Sequence, residues 1–269
     1  MKNLQFALAL TCALLSVTSA HAQAPANETP EANPGRPTVS TPATLTPVGY
    51  LQFENGTLYA ADTAEFAKQL SINQVTKLTV APRLQLLLLS EPFTHTNGAT
   101  ETLSSENLSG DVQAGAQAVV FSETGPKPTV GLSYIRTIYS GEAPNTDIGS
   151  SRQSATVLLS SDLEGFHVDV NGIFSEQYDS RIRRGQFGQT LSVSHPLGPF
   201  TLAGELWHFT QPLTSGNAVG NLWALSYAVK KNLIVDTGLN RGLTSSSTQW
   251  EGFAGFTYVL PYRLWRQRI

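Results

Sequence analysis

The stretch SATVLLSSDLEGFHVDVNGIFSEQ, residues 154–177, decides how the rest of the chain is read. Successive side chains of a β-strand point to opposite faces. Over residues 154–163, Ala155, Val157, Leu159 and Leu163 take one face, and Ser154, Thr156, Ser160 and Asp162 take the other. Over residues 166–177, Phe166, Val168, Val170 and Phe174 oppose His167, Asp169, Asn171, Ser175 and Gln177. Glu164-Gly165 between them is a tight-turn signal, so the stretch reads as a β-hairpin with one apolar and one polar face.

The same alternation recurs on both sides. Val112, Ala114, Ala116, Ala118 and Val120 oppose Gln113, Gly115 and Gln117. Leu191 and Val193 oppose Gly188, Thr190, Ser192 and Ser194, and Leu233, Val235 and Leu239 oppose Asp236 and Asn240. Strand-like segments fall near residues 48–55, 65–75, 77–89, 110–121, 128–140, 150–163, 165–177, 183–195, 199–210, 218–229, 231–240 and 249–260. The fold class expected is all-β.

Alternation of this kind fits two architectures. A soluble sandwich buries its apolar face, whereas a membrane barrel turns that face to lipid and the polar one to its lumen. Three features favour the barrel. From Gly141 onward, short connections (162–165, 196–198, 230–232) alternate with longer ones (141–149, 179–184, 211–217, 241–248), as periplasmic turns and external loops do. The polar face carries Ser, Thr, Gln, Asn and Gly, which suit a wet lumen. Tyr50, Tyr139, Phe187, Trp207, Phe209, Trp223, Trp250, Phe253, Tyr258, Tyr262 and Trp265 lie mostly near strand ends, where interfacial aromatic girdles form. The expectation is a single closed antiparallel transmembrane barrel of about twelve strands, with ten or fourteen as alternatives.

The rest of the chain fits an exported protein. Met1-Lys2-Asn3, the apolar run from Leu4 to Val17, and Ala20-His21-Ala22 make residues 1–22 a signal peptide, with Gln23 first in the mature chain. The single cysteine, Cys12, lies inside that leader, so the mature chain forms no disulfide and no thiolate metal site. The leader holds one of the 17 basic residues and none of the 20 acidic ones, so the mature chain is acidic and fits no nucleic-acid partner. Beyond the leader no run of 18 apolar residues exists, which excludes a helical membrane protein and leaves a barrel open. Residues 23–47, with Pro25, Pro30, Pro34, Pro37, Pro42 and Pro47, read as an extended, disordered periplasmic linker. The barrel is assigned to residues 48–262 and a basic tail to 263–269, with Arg263, Arg266 and Arg268.

Charges within or beside strands must face inward or sit near the rims, because at the lipid midplane an arginine costs about 2–4 kcal/mol. Arg83, Gln113, Gln117, Arg136, Asp162, His167, Asp169, Asn171, Glu205, Asp236 and Glu251 are therefore the lumen-lining candidates. They either select solutes or fill and brace a narrow barrel. Arg181, Arg183 and Arg184 fall in an outer loop and are candidates for an anion or lipopolysaccharide phosphate; the plainer reading is a solvated charge run. The pieces for nucleophilic catalysis, Ser192, Ser194, His195 and His208, are present, but Ser194 and His195 are neighbours and face opposite ways. His95, His167, His195 and His208 lack metal-ligand spacing, and no Gly-rich loop precedes a helix, so neither enzyme activity nor a cofactor is expected.

Gly255, Tyr258 and Leu260 are similar to the closing-strand signature of outer-membrane barrels, with Phe253 and the tail as departures. Leu51-Gln52-Phe53-Glu54, Gln74-Val75-Thr76-Lys77-Leu78, Pro82-Arg83-Leu84-Gln85-Leu86, residues 188–191 and Trp207-His208-Phe209 extend the likeness. So do Asn240-Arg241-Gly242-Leu243-Thr244, Trp250 and Phe253-Ala254-Gly255-Phe256-Thr257-Tyr258. Over residues 48–262 the chain resembles the transporter-like outer-membrane barrels of the phenol meta-degradation pathway type. The resemblance implies outer-membrane lipid around the barrel, uptake of small aromatic or other hydrophobic solutes, and no fixed set of site residues. A non-transporting structural or adhesive barrel and a soluble periplasmic binding sandwich are the alternative functions.

Overall fold

The computed structural model describes residues 29–61, 66–98, 105–122, 127–143, 151–179, 182–212 and 216–265. The proposed leader lies outside them. The described residues form β1 (Leu51–Ala61), β2 (Phe66–Ala81), β3 (Leu84–Gly98), β4 (Glu106–Leu108), β5 (Val112–Phe121), β6 (Thr129–Tyr139) and β7 (Ser151–Leu163). These are followed by β8 (Phe166–Asp179), β9 (Ile182–Leu197), β10 (Phe200–Thr210), β11 (Asn217–Lys230), β12 (Leu233–Gly242) and β13 (Trp250–Val259). Leaving β4 aside, neighbours in sequence pair antiparallel, so β3 pairs with both β2 and β5, and β13 pairs with β1. The ring of twelve strands is thereby closed, and β4 is a short extra strand hydrogen-bonded to the outer end of β3.

Which face points inward settles the solvent. The largest fully buried side chains include Gln52, Glu54, Gln85, Gln117, Asn171 and Gln186. The exposed ones include Leu86, Leu88, Leu132, Val157, Leu202, Leu206 and Leu239. A soluble fold in water would leave that outer apolar surface uncompensated. A hydrocarbon surround accounts for it, and closure leaves no strand edge in the lipid. Tyr139, Tyr178, Phe166, Phe200 and Trp250 stand exposed near strand ends as interfacial rings. Trp207 and Phe209 do not join them: 3% and 1% exposed, they face inward. The close approach is possible because Gly188 and Gly220 leave the wall bare; a Cβ on Gly188 would lie 2.2 Å from the Phe209 ring.

The 154–177 hairpin forms as its sequence dictates. Glu164 and Gly165 both take positive φ, 49° and 88°, the two-residue turn whose twist matches that of the strands. One boundary differs from expectation. Strands were expected at 65–75 and 77–89, but β2 runs unbroken through Thr76 to Ala81 and the chain reverses at Pro82-Arg83. Thr76 is β-branched and extended-favouring, whereas Pro82 withdraws a backbone donor where no partner strand follows.

Candidate functional site

The lumen is the candidate site, and its main occupant is the chain's own N-terminal segment. Residues 23–47 were expected to be an unpacked, disordered linker; the described part, 29–47, instead runs around the inner wall as a collar. Its path follows the hydrogen bonds. Asn33 N–H donates to Gln52 Oε1 of β1 (2.9 Å), and Gly35 N–H donates to Glu54 Oε1 (3.0 Å). Arg36 then pairs with Asp236 of β12 (3.1 Å). Val39 N–H and Ser40 N–H donate to the two carboxylate oxygens of Glu205 on β10 (2.7 and 2.6 Å). Ser40 Oγ reaches Thr190 of β9 (2.8 Å), Thr41 N–H reaches Asn171 Oδ1 of β8 (2.6 Å), and Ala43 N–H reaches Ser160 Oγ of β7 (2.7 Å). Gln117 of β5 donates to the Pro42 carbonyl (2.9 Å), and Thr46 N–H ends the circuit on Gln85 of β3 (3.1 Å). Asn33 Nδ2 donates to the Thr44 carbonyl (2.9 Å), tying the two ends of the hoop together.

The composition that suggested disorder is what makes the collar. Proline removes backbone donors that would have no partner in the lumen and holds the chain extended. Most of the remaining donors find the strands' own backbone already paired, so inward-facing side chains satisfy them; Ala32 N–H instead reaches the Lys231 carbonyl in the β11–β12 turn (2.9 Å). The carboxylates suit this role, being strong acceptors for several N–H groups at once. Lys77 Nζ lies 2.5 Å from Glu54 Oε1 inside the wall and neutralises that acid, as Arg36 does Asp236. Val39 packs on Trp207, Phe209 and Ala218, so the collar also covers the one inward aromatic patch among the described residues.

Of the sequence-derived candidates, Gln117, Asp169, Asn171, Glu205, Asp236 and Glu251 are buried on the inner face. Gln117, Asn171, Glu205 and Asp236 touch the collar directly; Asp169 does so through Ser160, whose hydroxyl it accepts (2.5 Å). Glu251 accepts from Asn240 (2.5 Å), which in turn accepts from Trp207 Nε1 (2.8 Å). Gln113 donates to Thr137 within the wall (3.2 Å). His167 sits between Asp162 (2.7 Å) and Asp169 (3.3 Å) at the turn end of the β7–β8 hairpin, where the Asp162 side chain is 69% exposed.

Two candidates are misplaced by the sequence reading. Arg83 occupies the β2–β3 turn, where its guanidinium donates to the Val120 carbonyl (3.1 Å). Arg136 shares the outer face of β6 with Leu132, Tyr134 and Ile138, and Ser133 and Thr137 take the inner one. Neither lines the lumen; each lies toward a strand end, the other place the midplane cost leaves open to an arginine. Of the outer-loop candidates, Arg183 faces outward 3.6 Å from Glu176, and Arg184 lies on the register of Gln186 and Thr190, toward the lumen mouth. Arg181 lies outside the described residues.

The pieces for nucleophilic catalysis stay apart. Ser192 is buried on the inner face, and His195 is held outside by the Gly165 carbonyl (2.9 Å). His208 rests against Asn217 (3.2 Å). Trp207 and Phe209 inside the lumen were missed as site residues. Gly188 and Gly220, set opposite them across the ladders, were the available signal.

A closed twelve-stranded barrel with a lipid-facing apolar belt and a hydrated polar interior defines the class: a transmembrane barrel of the outer-membrane type. Its neighbours among solved structures have the same fold. An outer membrane channel from Pseudomonas putida F1 aligns at 16% identity with a TM-score of 0.60, covering 81% of this chain and 98% of that one. The KdgM porin aligns at 11% identity with a TM-score of 0.53, covering 77% of this chain and 98% of that one. No family model and no curated protein matches the sequence.

Proposed function

We propose that this protein is an outer-membrane channel for small solutes in which the 29–47 collar sets the width of the lumen. One observation carries the reading. The collar takes part in none of the wall's ladders: apart from one backbone bond at a turn, Ala32 N–H to the Lys231 carbonyl (2.9 Å), its hydrogen bonds to the wall are made with side chains, so it is an insert in a barrel complete without it. Solutes would pass a ring of backbone carbonyls, hydroxyls and amides, with Arg36 and Lys77 balancing Asp236 and Glu54. Outer-membrane lipid would surround the barrel. Aromatic or other hydrophobic solutes are the class implied by the sequence resemblance, and Trp207 and Phe209 would offer them an apolar surface.

A barrel filled and braced by its own segment also suits a structural, non-transporting role, and the deep burial of Ser40 and Ala43 favours that alternative. Liposome swelling separates the two. Vesicles holding the purified chain are expected to swell in small sugars and small aromatic acids faster than barrel-free vesicles. A variant lacking residues 30–46 should swell faster still. Full-length protein no leakier than the barrel-free control for every solute would overturn the channel reading.

A further inference from the structure

One outward-facing cluster has no part in the lumen. On the loop side of the wall, Tyr134 OH donates to Gln153 Oε1 (2.8 Å) and Gln153 Nε2 donates to Glu176 Oε2 (2.9 Å). Arg183 lies 3.6 Å from the other oxygen of Glu176. Arg136 is directly opposite Gln153 in the ladder, exposed, and without a partner among the described residues. These groups lie on the outward side near the loop ends of their strands, two to three residues short of Tyr139 and Tyr178, which are 57% and 48% exposed. An arginine this close to a strand's loop end has a stem long enough to carry its guanidinium out to the headgroups.

Below the cluster, toward the middle of the wall, the outer surface carries a groove of about 650 Å³. Its floor is made of small residues, Ala116, Ala155 and Gly172, and its walls of Tyr134, Phe174 and Phe187. Tyr134 joins the two parts, with its ring in the groove and its hydroxyl in the polar chain. A second outer groove, of about 710 Å³ around Gly204, Gly238 and Trp223, has Arg241 on its loop side. That guanidinium is already taken: it donates to the Gln249 carbonyl (2.8 Å) and lies 4.4 Å over the Trp250 ring.

We propose that Arg136 and Arg183 hold a phosphate of lipid A in the outer leaflet, with one of its acyl chains lying in the Ala116–Ala155–Gly172 groove. The inference rests on the transmembrane-barrel reading and not on solute transport. Arg183, offset by Glu176, orients the site, and Arg136 supplies the unneutralised fork that a phosphate matches. The acyl chain fills a shelf that ordinary wall side chains leave open. The amide and phenol of Gln153 and Tyr134 face the sugar headgroup, which a plain phospholipid lacks.

The test is native mass spectrometry of the full chain exchanged into phosphatidylcholine nanodiscs. Each disc set is doped with one of three lipids: bisphosphorylated lipid A, enzymatically dephosphorylated lipid A, or phosphatidylglycerol. Retention of the bisphosphorylated form is expected to exceed that of either other lipid by about tenfold or more, the scale of one lost charge-assisted contact. Arg136→Gln with Arg183→Gln should remove that preference, and Ala155→Trp, which fills the groove, should lower retention without touching a charge. Arg241→Gln, at the second groove, should leave it unchanged. Equal retention of dephosphorylated lipid A or of phosphatidylglycerol, or no effect of the paired arginine change, overturns the proposal. Each variant is first shown to run as a folded band on an unboiled gel; loss of that band in the parent chain would instead sink the barrel reading itself.

Discussion

Glu205 concentrates more of the collar's anchoring than any other described side chain. Its carboxylate takes Val39 N–H (2.7 Å), Ser40 N–H (2.6 Å) and Ser40 Oγ–H (2.5 Å), all in a buried setting. Replacing it by alanine orphans two backbone donors, while the Ser40 hydroxyl keeps Thr190 (2.8 Å), and each buried donor left unmatched costs roughly 1–3 kcal/mol. Glu205→Ala is therefore expected to free the collar's apex and raise solute flux at least about tenfold, using 1.4 kcal/mol per decade. Swelling assays read this directly, and flux equal to the parent's would show that the apex does not limit passage. Glu205→Gln should fall between, since the amide keeps one acceptor and turns two donors toward donors. Gly188 tests the wall behind the apex. Gly188→Val puts a branched side chain into the space of the buried Phe209 ring. A cost of about 1–3 kcal/mol is expected, seen as a lower temperature for loss of the folded band on a gel.

At the scale of the strand, the alternating pattern made both faces legible. Residues 154–177 announce which side chains meet lipid, and a charge on that side should be punished by depth. Leu206, 56% exposed in the middle of β10, is such a position. Leu206→Arg is expected to destabilise the barrel by about 2–4 kcal/mol in reversible urea titration from vesicles; Arg136→Leu, near the loop end of β6, should change it little. The same depth argument left two places for Arg136, the lumen or a rim, and parity along β6, which puts it on the outer face, decides for the second. The collar was hidden for a different reason. Secondary-structure signals are local, whereas the partners of residues 33–46 lie up to 200 residues away, as for Arg36 and Asp236. What the sequence did show was a set of inward acceptors, Glu205 and Asp236 among them, whose partners lie in the collar. Trp207 and Phe209 were assigned to the interface because girdle and lumen aromatics look alike until the glycines opposite them are counted.

For the molecule as a whole, the wall and the collar are separable, and two deletions should behave in opposite ways. Closure depends on the β1–β13 ladder, continuous from Gln52↔Val259 to Ala61↔Trp250. Removing residues 250–265 would leave β1 and β12 as open edges in hydrocarbon, each backbone group there costing several kcal/mol. Such a chain is expected to run as unfolded on an unboiled SDS gel, because detergent can unzip a ladder from any free edge. Removing residues 30–46 cuts no strand pairing: apart from Ala32 N–H on the Lys231 turn carbonyl, the collar's hydrogen bonds to the wall are with inward side chains, and water can solvate Glu54, Lys77, Glu205 and Asp236 once the lumen is vacated. That variant should keep the fast-migrating band, shift only modestly in the temperature at which it is lost, and show the larger solute flux. If it lost the band as completely as the strand deletion, the collar would be a strut on which closure depends, and a lumen whose width the collar sets would no longer describe this barrel.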